Sequence, residues 1–350
     1  MSCSWCEMDA PVFSILIATF NQAKYLRETL DSVRRQTFTD WELVVVDDGS
    51  TDDTPRVIAD WLESLDEGMR GCVQVLRQEN AGQSAAFEAG FELCRGRYIA
   101  LLDSDDRWLP ERLSVMASEA TADPDAVLLF HPMWVIDADG KRTGDVRPRR
   151  STVCTGDVGD RIRRSGMHVV TSLTSGLVVR ADVFRKLLPM PTRRFRSAAD
   201  SYLALGSCLS GPIRAVPARL GEYRIHQDGN YIRRIMSPEG LERQIEIQKT
   251  ISTHLGLQKV VRRNSYYARN AFAAARLNDK SRWEQSAAYA RLMQAIARDA
   301  SIPVLQRLGF CGYWTAGFLA PKSGFQAMWQ WFHRMQGGRL RLRKPLRSGH

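Results

Sequence analysis

Three carboxylates fall within the tetrapeptide Asp103–Asp106, directly after the apolar run 98–102. A short apolar run bounded by polar residues is typical of a buried strand, and Pro110 then marks the first turn of a helix. Carboxylates this close repel one another unless a cation or hydrogen bonds offset their charge. A hard divalent ion that also holds phosphate oxygens would do so. Taken alone, the tetrapeptide is equally consistent with a solvated acidic turn.

The elements that must position these carboxylates alternate along the first hundred residues. Strand candidates at 13–18, 41–46, 73–76 and 98–102 are each followed by a polar loop and then by a helix-like segment. This alternation predicts an α/β fold with a mainly parallel central sheet and helices on both faces. Open sheets of this kind bind their ligands at the carboxyl ends of the strands.

Four loops are therefore expected to share one edge of the sheet. They are Thr19–Gln22, Asp47–Ser50, Asn80–Gln83 and Asp103–Asp106. Alone, Asp47–Ser50 favours a turn with a helix cap. In the third loop, Gly82 would let the backbone approach a ligand closely.

The pattern loosens beyond residue 120. Strands are predicted at 126–130, 134–136 and 175–180, whereas 141–165 is rich in Arg, Ser, Thr and Gly and predicts a mobile loop region. Beyond about residue 230 the strands disappear and good helix formers dominate. The predicted division is a disordered terminus over 1–10, an α/β domain over 11–230 divided near 120, a helical extension over 231–333 and a basic tail over 334–350.

The composition and the sequence pattern argue against a membrane-spanning protein and a secreted protein. The 350 residues, with 44% hydrophobic and 25% charged content, are those of an ordinary globular protein. No apolar run of about 18 residues predicts a membrane span, and the start of the chain lacks the pattern of a secretory leader. The seven cysteines are scattered along the chain, which predicts reduced thiols in a cytoplasmic protein. Cys3 and Cys6 form an incomplete metal motif.

Taken in this order and spacing, the four loops closely resemble those of the family 2 glycosyltransferases, which have the GT-A fold. The resemblance covers about residues 12–230. It implies an inverting enzyme that moves a sugar from a nucleotide-diphosphate sugar, most often a UDP-sugar, to an acceptor hydroxyl with Mg²⁺ or Mn²⁺. The half before residue 120 would then hold the donor, and the half after it would hold a glycan, lipid-linked or other acceptor, as in envelope polysaccharide or glycolipid assembly.

The resemblance also assigns roles to single residues. In the family the first loop packs on the nucleobase, the acidic pair after the second strand contacts base and ribose, and the third loop approaches the nucleotide. Asp103 would face the ribose and Asp105 the metal, which His226 could also ligate. The residues assigned to the nucleotide sugar are Thr19, Phe20, Asn21, Asp47, Asp48, Asn80, Gly82, Asp103 and Arg224.

The resemblance places the catalytic base at Asp200. A carboxylate within reach of the acceptor hydroxyl can take its proton as the new bond forms. Ala199 precedes it where relatives commonly carry a second acid, so an exposed helix-cap aspartate is the alternative, and Asp228 is the next candidate base. The remaining acid of the tetrapeptide, Asp106, is predicted to cap the following helix.

Two other functions fit parts of this pattern. The first is a catalytically silent nucleotide-sugar-binding module, which would need no base. The retention of Asp105 and Asp200 argues against this function. A sugar nucleotidyltransferase shares the sheet and the metal. It would carry a Gly-rich, basic loop after the first strand, and Thr19–Gln22 is not one.

The carboxyl end combines aromatic and basic residues. Aromatic residues are frequent over 310–332, and 334–350 carries six basic residues and no acidic one. This composition is typical of an interfacial segment attracted to anionic lipid, and the alternative is a core helix followed by a solvated tail. No nucleic-acid recognition motif is present. The prediction is a cytoplasmic protein held peripherally at the inner face of the cell membrane.

Overall fold

A computed structural model describes residues 10–148, 155–165, 173–191, 196–226, 238–257, 265–299 and 302–337. Contacts between residues divide the chain into two compact units. The first takes the described residues within Met1–Asn230 and Ile247–Gln258, and the second takes those within Tyr231–Glu246 and Lys259–His350. The predictions for Cys3, Cys6, Asp228 and the tail from 338 onward lie outside the described residues.

The first unit is built on a seven-stranded, mainly parallel sheet. In spatial order its strands are β10 (Ile213–Ala215), β6 (Leu128–Phe130), β9 (Leu177–Arg180), β4 (Tyr98–Asp103), β1 (Phe13–Thr19), β2 (Trp41–Asp47) and β3 (Val73–Arg77). Strand β9 runs antiparallel to both neighbours, and the other pairs are parallel. The predicted fold class is confirmed.

The register of the central strands brings their ends to one edge of this sheet. Strand β2 is buried along its whole length and β1 at all but one residue, because helices cover both faces. Thr19 lies opposite Asp47, and Ala18 lies opposite Asp103. The loops after β1, β2 and β4 therefore begin side by side.

A smaller sheet contains four strands in the order β5 (Arg107–Trp108), β11 (Gly221–Arg224), β7 (Met133–Ile136) and β8 (Arg142–Arg147). The prediction of a loop region over 141–165 is wrong where β8 and the helix Gly159–Ser165 lie. Strand β8 pairs with β7 at the sheet edge, and its first half is exposed to solvent. It therefore lacks the apolar alternation by which a strand is recognised in sequence.

Eight helices are described in the first unit before residue 226. They are α1 (Ala23–Arg34), α2 (Thr54–Glu63), α3 (Glu67–Arg70), α4 (Gln83–Phe91), α5 (Arg112–Ala122), α6 (Gly159–Ser165), α7 (Ala181–Lys186) and α8 (Ala199–Ser210). A 3₁₀ turn at Thr174–Gly176 leads into β9.

The carboxyl-terminal region is helical, as predicted. Helix α9 (Pro238–His254) contributes residues to both units. The second unit is completed by α10 (Ser265–Leu277), α11 (Arg282–Arg298), α12 (Val304–Leu319) and α13 (Lys322–Gly337). Among the described helices, none has the length and apolar composition needed to cross a bilayer.

Most aromatic residues of α12 and α13 point into the second unit. Trp314, Phe325, Trp329 and Phe332 are buried in the same hydrophobic cluster as Phe272 of α10. The interpretation of these rings as interfacial is therefore wrong, and the alternative of a core helix is correct for them. The sequence could not separate the two, because aromatic side chains suit a core as well as an interface.

Candidate active site

The acidic loop between β4 and β5 forms the centre of the site. One carboxylate oxygen from each of Asp103, Asp105 and Asp106 lies within 4.8 Å of the others. The backbone turns tightly here, since the N–H of Asp106 donates to the carbonyl of Asp103 at 3.1 Å. The single hydroxyl proton of Thr29 in α1 is shared between the carbonyls of Ser104 and Asp106, at 3.0 and 2.7 Å, which ties the loop to α1.

Asp106 does not cap a helix. Helix α5 begins at Arg112, six residues later. The Asp106 side chain is fully buried and accepts hydrogen bonds from the Ser175 hydroxyl at 2.6 Å and the Arg224 N–H at 2.8 Å. The predicted cap is wrong, and Asp106 instead joins the acidic loop to the 3₁₀ turn before β9 and to β11.

Among the described residues, no basic side chain is bonded to the carboxylate of Asp103 or Asp106. Burial, and then the charges of Asp105 and Asp200, raise the pKa of Asp103 well above its ordinary value. Burial, followed by the charges of Asp105 and Asp103, does the same to the pKa of Asp106. Carboxylate oxygens are the ligands that Mg²⁺ and related hard cations prefer, so the donor set fits a divalent ion.

The structure brings His226 and Arg224 to the same loop. His226 is buried against the Tyr25 ring, and its Nε2 lies 2.9 Å from Asp105 Oδ2. Arg224 donates from Nε to the Asp105 carbonyl at 2.8 Å and from Nη2 to Glu28 at 2.7 Å. Because its side chain is 1% exposed and its donors reach protein acceptors, Arg224 orients the acidic loop in this structure.

The loop after β1 combines a buried hydroxyl with an exposed ring. Thr19 is buried, and its Oγ1 has no hydrogen-bond partner among the described residues. The adjacent Phe20 ring is 43% exposed. Asn21 follows with a φ of 53°, and hydrogen bonds to Ser50 and Thr51 join this loop to the one after β2.

The acidic pair after β2 is buried and bonded to protein. Asp48 accepts hydrogen bonds from the Gln78 side chain and from the backbone N–H groups of Ala81 and Gly82, at 2.7–2.8 Å. Asp47 accepts from the Ser50 N–H, and its Oδ2 lies 3.5 Å from Arg77 Nε. In this structure both carboxylates shape the predicted nucleotide loops.

The third loop contacts residues that precede α8. Asn80 accepts hydrogen bonds from the Arg196 guanidinium through both its carbonyl and its side-chain oxygen. Gly82 has a φ of 95°, and a Cβ atom there would lie 2.5 Å from the Arg196 carbonyl. Glycine is therefore required by the backbone angle and by this close approach.

Asp200 lies in the first turn of α8 and close enough to the acidic loop to raise the pKa of Asp103. Burial raises the pKa of Asp200 itself, against a 2.7 Å hydrogen bond from the Ser201 N–H. A carboxylate with a raised pKa holds a proton more strongly, which suits a base. The structure thus brings the predicted base and Asp103 together.

Sequence reasoning missed several residues that hold the site. Gln83 and Thr174 donate hydrogen bonds to Asp103. Ser175 binds Asp106, and Glu28 joins Arg224 to Arg107. No motif marks these side chains, although polar residues at the carboxyl end of a sheet were the available signal.

A buried arginine contacts the backbone of Ser175, whose hydroxyl binds Asp106. The Arg112 guanidinium is fully buried, lies 3.6 Å from the centre of the Trp108 ring and reaches within 3.5 Å of the Ser175 carbonyl. Its Nε donates to His131 Nε2 at 3.1 Å. Since His131 accepts this bond, it is neutral; burial and then the charge of Arg112 lower its pKa to about 3.

This pKa shift predicts how folding stability depends on pH. Between pH 6.5, the ordinary histidine pKa, and about 3, the unfolded chain binds a proton at His131 that the folded chain does not. The free energy of unfolding should therefore fall as pH drops through this window, by about 1.4 kcal/mol per pH unit from this group. In His131→Gln the free energy of unfolding should fall less steeply with decreasing pH, by the contribution of about one proton, or about 1.4 kcal/mol per pH unit.

Urea unfolding at pH 7, 6 and 5 measures this slope. His254→Gln is the matched control, because His254 is an exposed histidine of the first unit. Equal slopes in wild type and His131→Gln would mean that His131 is not held neutral in the folded protein.

Comparison with known proteins gives a consistent result. Residues 14–187 match the family model described as glycosyl transferase family 2. An uncharacterized glycosyltransferase of a Nostoc species is 33% identical over 219 residues, which cover 63% of this chain and 66% of the relative. The chain thus spans just under two thirds of that relative's length.

Two solved structures share the architecture. Staphylococcus aureus TarS 1–349 in complex with UDP is 20% identical with a TM-score of 0.57, covering 95% of this chain and 93% of that one. The mannosyltransferase PcManGT of Pyrobaculum calidifontis, in complex with GDP-Man and Mn²⁺, is 18% identical with a TM-score of 0.50, covering 92% and 85%. At these identities the likeness concerns the fold.

Proposed function

Because the chain belongs to glycosyltransferase family 2 through the domain at 14–187, we propose that it is an inverting, metal-assisted glycosyltransferase. Its donor would be a nucleotide-diphosphate sugar and its acceptor a hydroxyl group. The observation that carries this proposal is the cluster of Asp103, Asp105 and Asp106 at the sheet edge, with Asp200 close to Asp103.

The proposed donor is a UDP-sugar. The loops after β1 and β2 meet at the strand ends, where the Phe20 ring offers a face for a nucleobase and Thr19 Oγ1 is an unpaired polar atom among the described residues. Buried polar atoms normally find a partner, so a ligand group is a natural one for Thr19. TarS was solved with UDP, which supports uridine, and PcManGT was solved with GDP-Man, which makes a guanosine donor the alternative.

The residues proposed to hold the metal are Asp105 and its neighbour His226. The ion, Mg²⁺ or Mn²⁺, would neutralise the diphosphate as it departs. The cluster of carboxylates and the presence of Mn²⁺ in the structure of PcManGT support this assignment. Asp106 and Arg224 would keep Asp105 in place, since both bond to the backbone or side chains around it.

Asp200 is proposed to perform the proton transfer. The acceptor oxygen would form its bond to the anomeric carbon as the bond from that carbon to the diphosphate oxygen breaks. The hydroxyl proton would pass to the Asp200 carboxylate, and the nucleoside diphosphate would leave with the electron pair of the broken bond. A single displacement of this kind inverts the anomeric centre.

The test is a screen of nucleotide sugars with product analysis. We expect release of a nucleoside diphosphate from one or a few donors, dependent on a divalent ion. Release of pyrophosphate from a sugar phosphate and a nucleoside triphosphate would instead identify a nucleotidyltransferase. Donor binding without turnover, across a panel of glycan and lipid-linked acceptors, would identify a silent binding module.

The acceptor is proposed to be an envelope glycan or glycolipid at the inner face of the membrane. The part of the basic tail that follows α13, residues 338–350, carries five basic residues and no acidic one. Each such residue near an anionic lipid surface contributes about 1 kcal/mol of attraction. The tail would therefore bring a cytoplasmic enzyme to a lipid-linked acceptor reversibly.

A further inference from the structure

Helix α12 presents an apolar face to solvent. Leu305, Leu308 and Leu319 are 82%, 67% and 76% exposed. Together with the exposed Gly312 and Ala316, they recur at intervals of 3, 4, 4 and 3 residues. Residues at this spacing lie on one side of a helix, where a water-facing helix ordinarily carries charged and polar groups.

The opposite face of α12 is already occupied by the core of the second unit. Trp314 and Gly317 are buried. Thr315 is bonded to Tyr289 of α11 at 2.7 Å, and the Phe318 ring stacks on the Tyr289 ring with centroids 4.5 Å apart. The packing of α12 therefore fixes which side of the helix faces solvent. The exposed apolar residues form a stripe that does not belong to the core of the second unit.

Charge decides what kind of partner fits this stripe. Residues 265–350 contain fourteen Lys and Arg but three Asp and Glu, a net charge of +11, so the other residues of the chain sum to −1. Arg282, Arg291 and Arg298 of the neighbouring α11 are exposed. A second copy would bring two strongly positive units together, whereas an anionic lipid surface combines opposite charge with an apolar interior.

We infer that the stripe of α12, formed by Leu305, Leu308, Gly312, Ala316 and Leu319, inserts into an anionic lipid surface. The segment from 305 to 319 extends about 21 Å, and it would lie flat at the headgroup boundary. The inference deepens the proposed function and rests on it, because a lipid-linked acceptor is the reason for the enzyme to bind a membrane. It replaces the buried aromatic residues with exposed leucines as the inserting side chains.

Co-sedimentation with vesicles tests the stripe separately from the tail. Four proteins are compared: the full chain, the chain ending at 337, a stripe variant with Leu305→Ser, Leu308→Ser and Leu319→Ser, and a control with Gln306→Ser, Gln326→Ser and Gln330→Ser. The control residues are exposed on α12 and α13 of the same unit. Vesicles contain phosphatidylcholine alone or mixed with phosphatidylglycerol, and salt is varied.

The stripe variant should partition into the anionic vesicles about tenfold or more weakly than the full chain, with its unfolding temperature unchanged. The control should bind as the full chain does. Loss of the tail should weaken binding mainly at low salt, whereas the binding lost in the stripe variant should be insensitive to salt. Donor turnover in solution should be the same in all four proteins.

Three results would overturn the inference. The first is equal sedimentation of the stripe variant and the full chain. The second is a dimer of the full chain, seen by light scattering, that the stripe substitutions dissociate without changing vesicle binding. The third is vesicle binding that arises only when the tail is removed, which would mean that the tail covers the stripe. Absence of donor turnover in the full chain would defeat the proposed function whatever the vesicles show.

Discussion

Asp105→Ala is expected to lower sugar transfer by at least about a hundredfold, because it removes the side chain proposed to ligate the metal. Chelation with EDTA should lower the wild-type rate similarly, and Mn²⁺ or Mg²⁺ should restore it. The fold should survive the substitution, since the Asp105 side chain is 21% exposed and its carboxylate contacts the side chain of His226. Steady-state rates with the screened donor measure the effect.

Metal binding can be followed without any turnover. Mn²⁺ should raise the unfolding temperature of wild type, because a ligand that binds the folded state stabilises it. The rise should be absent in Asp105→Ala and retained in Asp139→Ala, a matched control with an exposed carboxylate in another turn of the first unit. Full activity of Asp105→Ala in the presence of EDTA would contradict the metal assignment.

The parts of the fold that follow from short-range pattern could be predicted from the sequence. Apolar runs such as 41–46 and 98–102 must be buried strands, and parallel strands end together at one edge. In the structure Thr19 pairs with Asp47 and Ala18 pairs with Asp103, so the three strands end together as predicted. Strand β8 was missed because an exposed edge strand pairs through its backbone and needs no apolar side chains.

The support around the acids could not be predicted, because its partners are distant in sequence. Asp106 meets Ser175 across 69 residues and Arg224 across 118. Arg224 meets Glu28 across 196. Nothing in the local pattern of an acid-rich turn distinguishes a carboxylate that caps a helix from one that fastens two distant strands.

Asp200→Asn is expected to lower the transfer rate by about two orders of magnitude or more while donor affinity changes little. Asparagine keeps the size and polarity of the side chain but cannot accept the acceptor's proton, so the loss falls on the chemical step. Calorimetric titration of the donor beside steady-state kinetics separates the two quantities. Asp160→Asn is the matched control, since Asp160 is an exposed acid in the first turn of α6.

The pH dependence of the rate gives a second readout that a merely structural role for Asp200 would not produce. Burial raises the pKa of Asp200, so wild-type transfer should fall on the acid side as this carboxylate takes up a proton. The part of that limb due to Asp200 should be lost from the residual activity of Asp200→Asn and unchanged in Asp160→Asn, whereas a part due to Asp103 and Asp106, whose pKa values are also raised, would remain in both variants. Near-normal transfer by Asp200→Asn, with its acid limb intact, would move the base to another carboxylate, and Asp228→Asn would then be the variant to measure.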